Sequence, residues 1–384
     1  MNASAGDYRA RALTILGATG SIGVSTLAVA RHLGIPVFAL TANSKVTELA
    51  AQARACAAQC AVVGDPARYA ELKRLLAGSG VEAMAGAQAL CEVSADARTG
   101  AVVTAIVGAA GLPATLSAVR AGKRVCLANK EPMVMAGDLI VAAARASGAV
   151  IMPVDSEHNA IFQCLEGHRE DEVAELLLTA SGGPFRTVRD LSAVTLAQAL
   201  QHPTWSMGPK ITVDSATLMN KSLEIIEARW LFGIEPERIR VLIHPQSVVH
   251  SMVSYRDGSV LAQLGRPDMR VPIQYALTWP RHVAGPVAAP DFRALAALTF
   301  EEPDTVRFPS LTMAYQAAKS GGLAPTVMNA ANEMAVAAFI SGRSGFLDIF
   351  RTVEGALARV PGGDSASLDA IIAADADVRA RLAR

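Results

Sequence analysis

From Leu13 to about Met152 the chain alternates short runs of β-branched and apolar residues with alanine-rich stretches of helical periodicity. Leu13–Leu16, Val37–Thr41, Val102–Val107, Arg124–Leu127 and Val150–Met152 read as buried strands. Thr26–Leu33, Thr47–Cys60, Tyr69–Ala77 and Leu112–Ala121 read as the helices between them. Strand and helix alternating at this spacing predict an α/β domain over residues 1–150, a doubly wound, Rossmann-like parallel sheet.

Beyond Met152 the rhythm changes. Glu175–Thr179 reads as a strand, and Asp214 or Ser215 caps a predicted helix that runs to about Phe232. Val248–Tyr255 and Val260–Leu264 flank Asp257-Gly258, a β-hairpin pattern. Residues 151–278 therefore read as an α+β catalytic domain. Residues 279–309, opening on the proline-rich stretch Trp279-Pro280 to Pro290, read as a linker. Ala314–Ser320, Pro325–Ile340, Gly345–Ala358 and Ser367–Leu382 predict a C-terminal helical bundle over 310–384.

Composition narrows the function classes. Thirty-five basic and 35 acidic side chains balance, which speaks against a general nucleic-acid binder. The five cysteines are odd in number and none follows Cys164, so they form no disulfide framework. Cys56 and Cys60, in an apparent helical stretch, read as buried apolar positions rather than metal ligands. No apolar run reaches the ~20 residues of a membrane span, and the N-terminus does not resemble a signal peptide. A cytoplasmic, membrane-free protein is expected.

Gly17-Ala18-Thr19-Gly20-Ser21-Ile22-Gly23 follows the first strand and opens the first helix. In that context the first glycine permits a tight turn, the second lets backbone approach a pyrophosphate and the third lets helix pack on sheet. After the second strand stands Asn43-Ser44-Lys45, with no acid to hold a ribose 2′-hydroxyl. That favours NADP over NAD, although Lys45 also reads as a solvated helix-start lysine.

Strand Val150–Met152 runs into Asp155-Ser156-Glu157. In extended chain two carboxylates two residues apart point to one side, and like charges held close call for a cation or a proton. A hard divalent metal and solvated or capping acids are both open readings here, and oxygen-only ligation would suit Mg2+ or Mn2+. In the next helical stretch Ala216, Asn220, Glu224 and Ala228 recur every four residues, on one face. Buried among Leu218, Met219, Leu223, Ile225 and Ile226, Glu224 needs a partner. It is a candidate third ligand, with Ser215, Asn220 and Lys221 candidate anion contacts. The alternative is a surface Lys221–Glu224 pair. Ser181-Gly182-Gly183 reads as a phosphate-binding loop or a plain turn. His202 to Lys210 reads as a lid or as a core-anchored connection.

Taken together, Gly17–Gly23 (GATGSIG), Ala128–Glu131 (ANKE), Pro153–His158 (PVDSEH), Ser181–Phe185 (SGGPF), His202–Lys210, Asn220–Glu224 (NKSLE) and Asn329–Glu333 resemble the 1-deoxy-D-xylulose 5-phosphate reductoisomerase family over nearly the whole chain. The resemblance implies an NADPH- and metal-dependent homodimer. It would convert 1-deoxy-D-xylulose 5-phosphate to 2-C-methyl-D-erythritol 4-phosphate in non-mevalonate isoprenoid synthesis. The skeleton change is most simply drawn as retro-aldol cleavage and aldol addition, followed by hydride transfer.

By matched position the resemblance puts Thr19, Gly20, Ser21 and Ile22 on the cofactor phosphates. Asn129, Glu131 and Gly208 join them on the cofactor side. Where relatives carry Lys or Arg for the 2′-phosphate this chain has Ser44, between Asn43 and Lys45. Lys130, Ser156 and His202 are implied substrate contacts, and Ser181, Ser215, Asn220 and Lys221 a phosphate pocket. Asp155, Glu157 and Glu224 are the implied ligands of Mg2+ or Mn2+, with Co2+ a further candidate. A simple NADP-linked dehydrogenase of the acylating kind is the competing class, and it needs a placed nucleophilic cysteine.

Overall fold

The computed structural model describes residues 8–295, 297–360 and 367–383. They form two compact units. The first takes residues 8–132, Ile140–Asn159 and Asp268–Ala288; the second takes Met133–Leu139, Ala160–Pro267 and 289–383.

In chain order the elements up to residue 165 are β1 (Ala12–Leu16), α1 (Ser21–Leu33), β2 (Val37–Ala42), α2 (Val46–Ala55), β3 (Cys60–Val63), α3 (Tyr69–Leu76), β4 (Glu82–Ala85) and α4 (Gly86–Ala95), then β5 (Thr99–Thr104), α5 (Leu112–Arg120), β6 (Arg124–Leu127), α6 (Glu131–Ser147), β7 (Val150–Pro153) and α7 (Ser156–Leu165). The seven strands form one all-parallel sheet in the order β4-β3-β2-β1-β5-β6-β7. Parallel strands buried on both faces read as continuous apolar runs, and Leu13, Ile15, Leu40, Val102, Val103 and Val125 have no or almost no exposure. The order reverses direction beside β1, the switch point at which such sheets open a crevice at their carboxyl ends. Leu127 of β6 pairs with Pro153 of β7. That register brings the two chain segments that follow, through Lys130 and through Asp155, out side by side.

The structure departs from the pattern of the sequence at three places. Helix α2 stops at Ala55, Ala57 turns with φ +51°, and Cys60 lies in strand β3 rather than in a helix. Strand β5 ends at Thr104, leaving Val107 70% exposed in the loop beyond it. Strands β3 and β4 went unread. The first is a four-residue run directly behind a helix, and the second, Glu82-Ala83-Met84-Ala85, is an edge strand of weak β formers.

The remaining elements are β8 (Val173–Ala180), α8 (Leu196–Ala199), α9 (Pro209–Ala216), α10 (Met219–Phe232), β9 (Ile239–Ile243), β10 (Val249–Tyr255), β11 (Val260–Leu264), α11 (Arg270–Thr278), α12 (Ser310–Ser320), α13 (Ala324–Ile340), α14 (Phe346–Leu357) and α15 (Leu368–Leu382). A four-stranded mixed sheet runs β11-β10-β8-β9, with the expected β10–β11 hairpin antiparallel and β8–β9 parallel. One apolar core joins this sheet to α9, α10 and the C-terminal helices through Leu176, Leu178, Leu223, Ile226, Val327 and Phe346. Helix α11 belongs to the first unit, where Arg124 donates to the carbonyl of Leu277 at 2.9 Å.

The single helix expected from Asp214 to Phe232 is two helices. Leu218 adopts φ +57°, a left-handed conformation that no continuing α-helix contains. Thr217 makes the junction, its hydroxyl accepting from the Met219 N–H at 3.3 Å. Ala216 therefore closes α9 and does not share the face of Asn220 and Glu224.

Candidate functional site

In the first unit the glycine loop has the geometry its spacing implies. Gly17 has φ +83°, and a Cβ there would stand 2.5 Å from the carbonyl oxygen of Ala105. A Cβ on Gly23 would stand 2.4 Å from the Gly17 carbonyl, so α1 lies directly on the loop. Gly20, by contrast, has nothing closer than 3.5 Å. Two glycines are demanded by the fold, and the middle one leaves open space over the amino end of α1. Such an end attracts phosphate. Asn43, Ser44 and Lys45 stand exposed at the carboxyl end of β2, with Lys45 capping α2.

Beyond β6, Asn129, Lys130 and Glu131 are buried. Asn129 donates from Nδ2 to the carbonyl of Gly108 at 3.0 Å, while its buried Oδ1 has no partner among the described residues. Unpaired buried acceptors are rare and mark strain or a missing ligand. Lys130 Nζ lies 2.5 Å from Asp155 Oδ2. Asp155 and Glu157 are not in extended chain as the sequence reading had them. Helix α7 begins at Ser156, and the Asp155 carbonyl accepts the Asn159 N–H at 2.8 Å. Glu157 thus sits in the first helical turn, receiving the Ser156 hydroxyl at 2.5 Å. His158, fully buried and 3.9 Å from Asp155, is a site neighbour the sequence reading passed over.

In the second unit α10 carries the densest buried polarity. Glu224 has 0% exposure and Lys221 2%, so their contact is no surface pair. Asn220 donates to Glu224 Oε1 at 2.5 Å and Lys221 to Oε2. An ion pair this deep contributes little net stability, because desolvation offsets attraction. Its presence therefore points to function rather than folding.

The Ser181 loop is built against α9. Gly182 and Gly183 have φ +84° and +67°, and a Cβ on Gly183 would stand 2.7 Å from the Ser215 carbonyl. His202 Nδ1 accepts the N–H groups of Thr204 and Trp205 at 3.2 and 2.9 Å. A neutral ring that accepts at Nδ1 carries its proton on Nε2, which lies 3.0 Å from Ser181 Oγ. Ser181 also accepts from the Gly183 N–H at 3.2 Å, so neither contact uses its own O–H. Gly208 caps α9 in open space. Lys210 and Asp214, 2.8 Å apart inside α9, and Asn332 of α13, 2.9 Å from Asp214, form a network absent from the sequence reading.

Burial makes three of the five thiols poor nucleophiles. Burial pushes Cys126 up to about 12 and Cys60 and Cys164 up to about 11, where the reactive thiolate is absent at neutral pH. An acylating dehydrogenase finds no support here.

Patterns of the 1-deoxy-D-xylulose 5-phosphate reductoisomerase family match residues 13–137, and those of its C-terminal domains match 151–232 and 264–381. The Zymomonas mobilis enzyme of that name is 52% identical over 379 residues, 97% of each chain. The chain belongs to the 1-deoxy-D-xylulose 5-phosphate reductoisomerase family. The Laribacter hongkongensis reductoisomerase is 53% identical, covering 96% of this chain and 98% of its own. A solved Z. mobilis reductoisomerase in complex with NADPH superposes with a TM-score of 0.91 at 51% identity, over 97% of this chain and 98% of that one. A reductoisomerase crystallised with NADPH, fosmidomycin and magnesium gives 0.93 at 42% identity, over 97% of each chain.

Proposed function

We propose that this reductoisomerase converts 1-deoxy-D-xylulose 5-phosphate to 2-C-methyl-D-erythritol 4-phosphate with NADPH and a divalent cation, for isoprenoid precursor synthesis by the non-mevalonate route. The observation that carries the reading is the Glu224 carboxylate, sunk in an apolar helix yet held by Asn220 and Lys221. The NADPH and magnesium bound by its relatives support the same reading.

The donor chemistry fits the groups. Asp155, Glu157 and Glu224 offer only hard carboxylate oxygens, the set for Mg2+ or Mn2+, with Co2+ tolerated. The open face above Gly20 and the orphan Oδ1 of Asn129 fit a dinucleotide. The cation supplies Lewis-acid polarisation of the substrate carbonyl and the nicotinamide supplies hydride.

The chain's own residues bind and orient. Thr19, Gly20, Ser21 and Ile22 present the α1 amino end to the pyrophosphate, with Asn129, Glu131 and Gly208 on the cofactor side. Asn43, Ser44 and Lys45 meet the 2′-phosphate. Lys130, already paired with Asp155, orients substrate hydroxyls with Ser156, and His202 contacts substrate from the 201–208 segment. Ser181, Ser215, Asn220 and Lys221 hold the phosphate, whose remote binding energy favours closure of that segment. The skeleton rearranges by retro-aldol cleavage and aldol addition before reduction.

All five cysteines are free thiols, consistent with a reducing cytoplasm. No helix among the described residues is long and apolar enough to cross a membrane. Homodimerisation through the β10–β11 hairpin is supported by the exposed Val260 and Leu261 of its edge strand. The deciding assay incubates the chain with the phosphosugar, NADPH and Mg2+. It follows NADPH oxidation and identifies the product by NMR. A branched tetrol phosphate supports the proposal, and an unchanged carbon skeleton overturns it.

A further inference from the structure

Helix α13 is buried almost all round, yet it places Asn332, with 0% exposure, against α9. Asn332 Nδ2 donates to Asp214 Oδ1 at 2.9 Å, and Asp214 Oδ2 lies 2.8 Å from Lys210 Nζ. The amide's own Oδ1 has no partner among the described residues. An apolar residue would avoid that unpaired acceptor, so a merely space-filling role does not account for an asparagine here.

The chain of contacts spans α9 from end to end. Lys210 stands in its first turn, immediately after the 201–208 segment that carries His202. Asp214 immediately precedes Ser215, the residue against which Gly183 of the Ser181 loop is packed. The Asp214 carbonyl also accepts from Thr217 Oγ1 at 3.1 Å, and the Thr217 carbonyl accepts from Ser310 at 2.7 Å. The helix that follows the substrate segment and packs on the Ser181 loop is thus tied through Lys210 of its first turn to one buried carboxylate, and that carboxylate to α13.

We infer that Asn332 and Lys210 are positioning residues, which through Asp214 hold α9 so that Ser215 and the Ser181 loop meet the phosphate of the sugar. This rests on the phosphate-pocket reading above, and Ser215→Ala tests that reading separately. Asn332→Leu keeps the volume and removes the donor; Lys210→Gln removes the ammonium at the partly exposed end of the network. Each is expected to raise KM for the phosphosugar by about tenfold, the loss of one hydrogen bond to a charged group. KM for NADPH and kcat stay within about twofold of the parent, a split that general loosening of the fold would not produce.

The measurements are steady-state kinetics with both substrates and a thermal midpoint for each variant. If Ser215→Ala raises the phosphosugar KM but the two folded variants leave it unchanged, or lower kcat and weaken both substrates together, the positioning role is overturned while the pocket stands. If Ser215→Ala itself has no effect on that KM, the pocket reading fails and this inference with it. Should Asn332→Leu not fold, Lys210→Gln decides by the same criteria.

Discussion

A Cβ on Gly183 would lie 2.7 Å from the carbonyl oxygen of Ser215, closer than any relaxed contact. Gly183 also holds φ +67°, so Gly183→Ala meets strain and collision together. The expected cost is about 1–3 kcal/mol of stability. Because the loop must withdraw from α9, phosphosugar KM should rise while NADPH KM holds. Thermal unfolding and two-substrate kinetics check both halves; an unchanged phosphosugar KM would separate this loop from the phosphate.

The glycine loop allows a sharper contrast. Gly23→Ala drives a methyl to 2.4 Å from the Gly17 carbonyl and should destabilise the protein by roughly 2 kcal/mol or more. Gly20→Ala meets nothing within 3.5 Å and should leave the thermal midpoint nearly unchanged. Its methyl stands where a pyrophosphate would approach, so NADPH KM should rise severalfold. Equal effects of the two substitutions on stability would contradict this division of labour.

Most of the sheet and the C-terminal helices were legible because buried parallel strands and amphipathic helices write their period directly into the chain. The glycine loop was legible because positive φ and close packing admit few residue types. What could not be read depends on tertiary context. Cys60–Val63 closely follows an alanine-rich helix and is buried at all four positions, so no alternation of apolar and polar residues marks it as a strand. The Leu218 break is hidden because leucine is an ordinary helix former, and only the packed surroundings hold it at φ +57°. The Asn332–Asp214 contact joins residues 118 apart, and neither helix alone announces a partner.

Glu224→Gln tests the metal reading. It preserves shape but leaves the buried Lys221 ammonium without its carboxylate, at a cost of about 3 kcal/mol. Turnover should fall by at least about hundredfold, the several kcal/mol a Lewis acid supplies. Mn2+ affinity, read by calorimetry, should weaken in parallel. Chelation of the parent should abolish activity and Mg2+ restore it; full turnover in a verified metal-free preparation would sink the assignment.

Two phenols, Tyr255 buried and Tyr315 half-buried, contribute a decline of stability at alkaline pH. Tyr255 donates to the carbonyl of Cys164 and Tyr315 to that of Ile239, each at 2.7 Å, and burial raises both to about 12. A phenol in the unfolded chain ionises near 10. Between these values the folded state binds more protons, so stability present below pH ~10 declines as pH rises through ~12. Tyr255→Phe should flatten that decline while costing about 1 kcal/mol at neutral pH through the lost hydrogen bond. Denaturant midpoints from pH 7 to 11 give the comparison.

The thiols offer a probe of packing. With Cys126 pushed up to about 12 and wholly buried, iodoacetamide at pH 7.5 should leave it unmodified in the native protein. Cys56 and Cys91, partly exposed, should label first. Peptide mass spectrometry after timed quenching reads the order, and early labelling of Cys126 would contradict the packing around β6.

The junction at Leu218 changes what a single stretch of chain can offer. An uninterrupted rod would run its backbone amides past this point already engaged. Restarting at Met219 gives α10 a fresh electropositive tip within two residues of the tail of α9, beside Asn220 and Lys221. A modest local distortion thereby turns one stretch of chain into two short helices, so that the first backbone amides of α10 stand beside the side chains of Asn220 and Lys221.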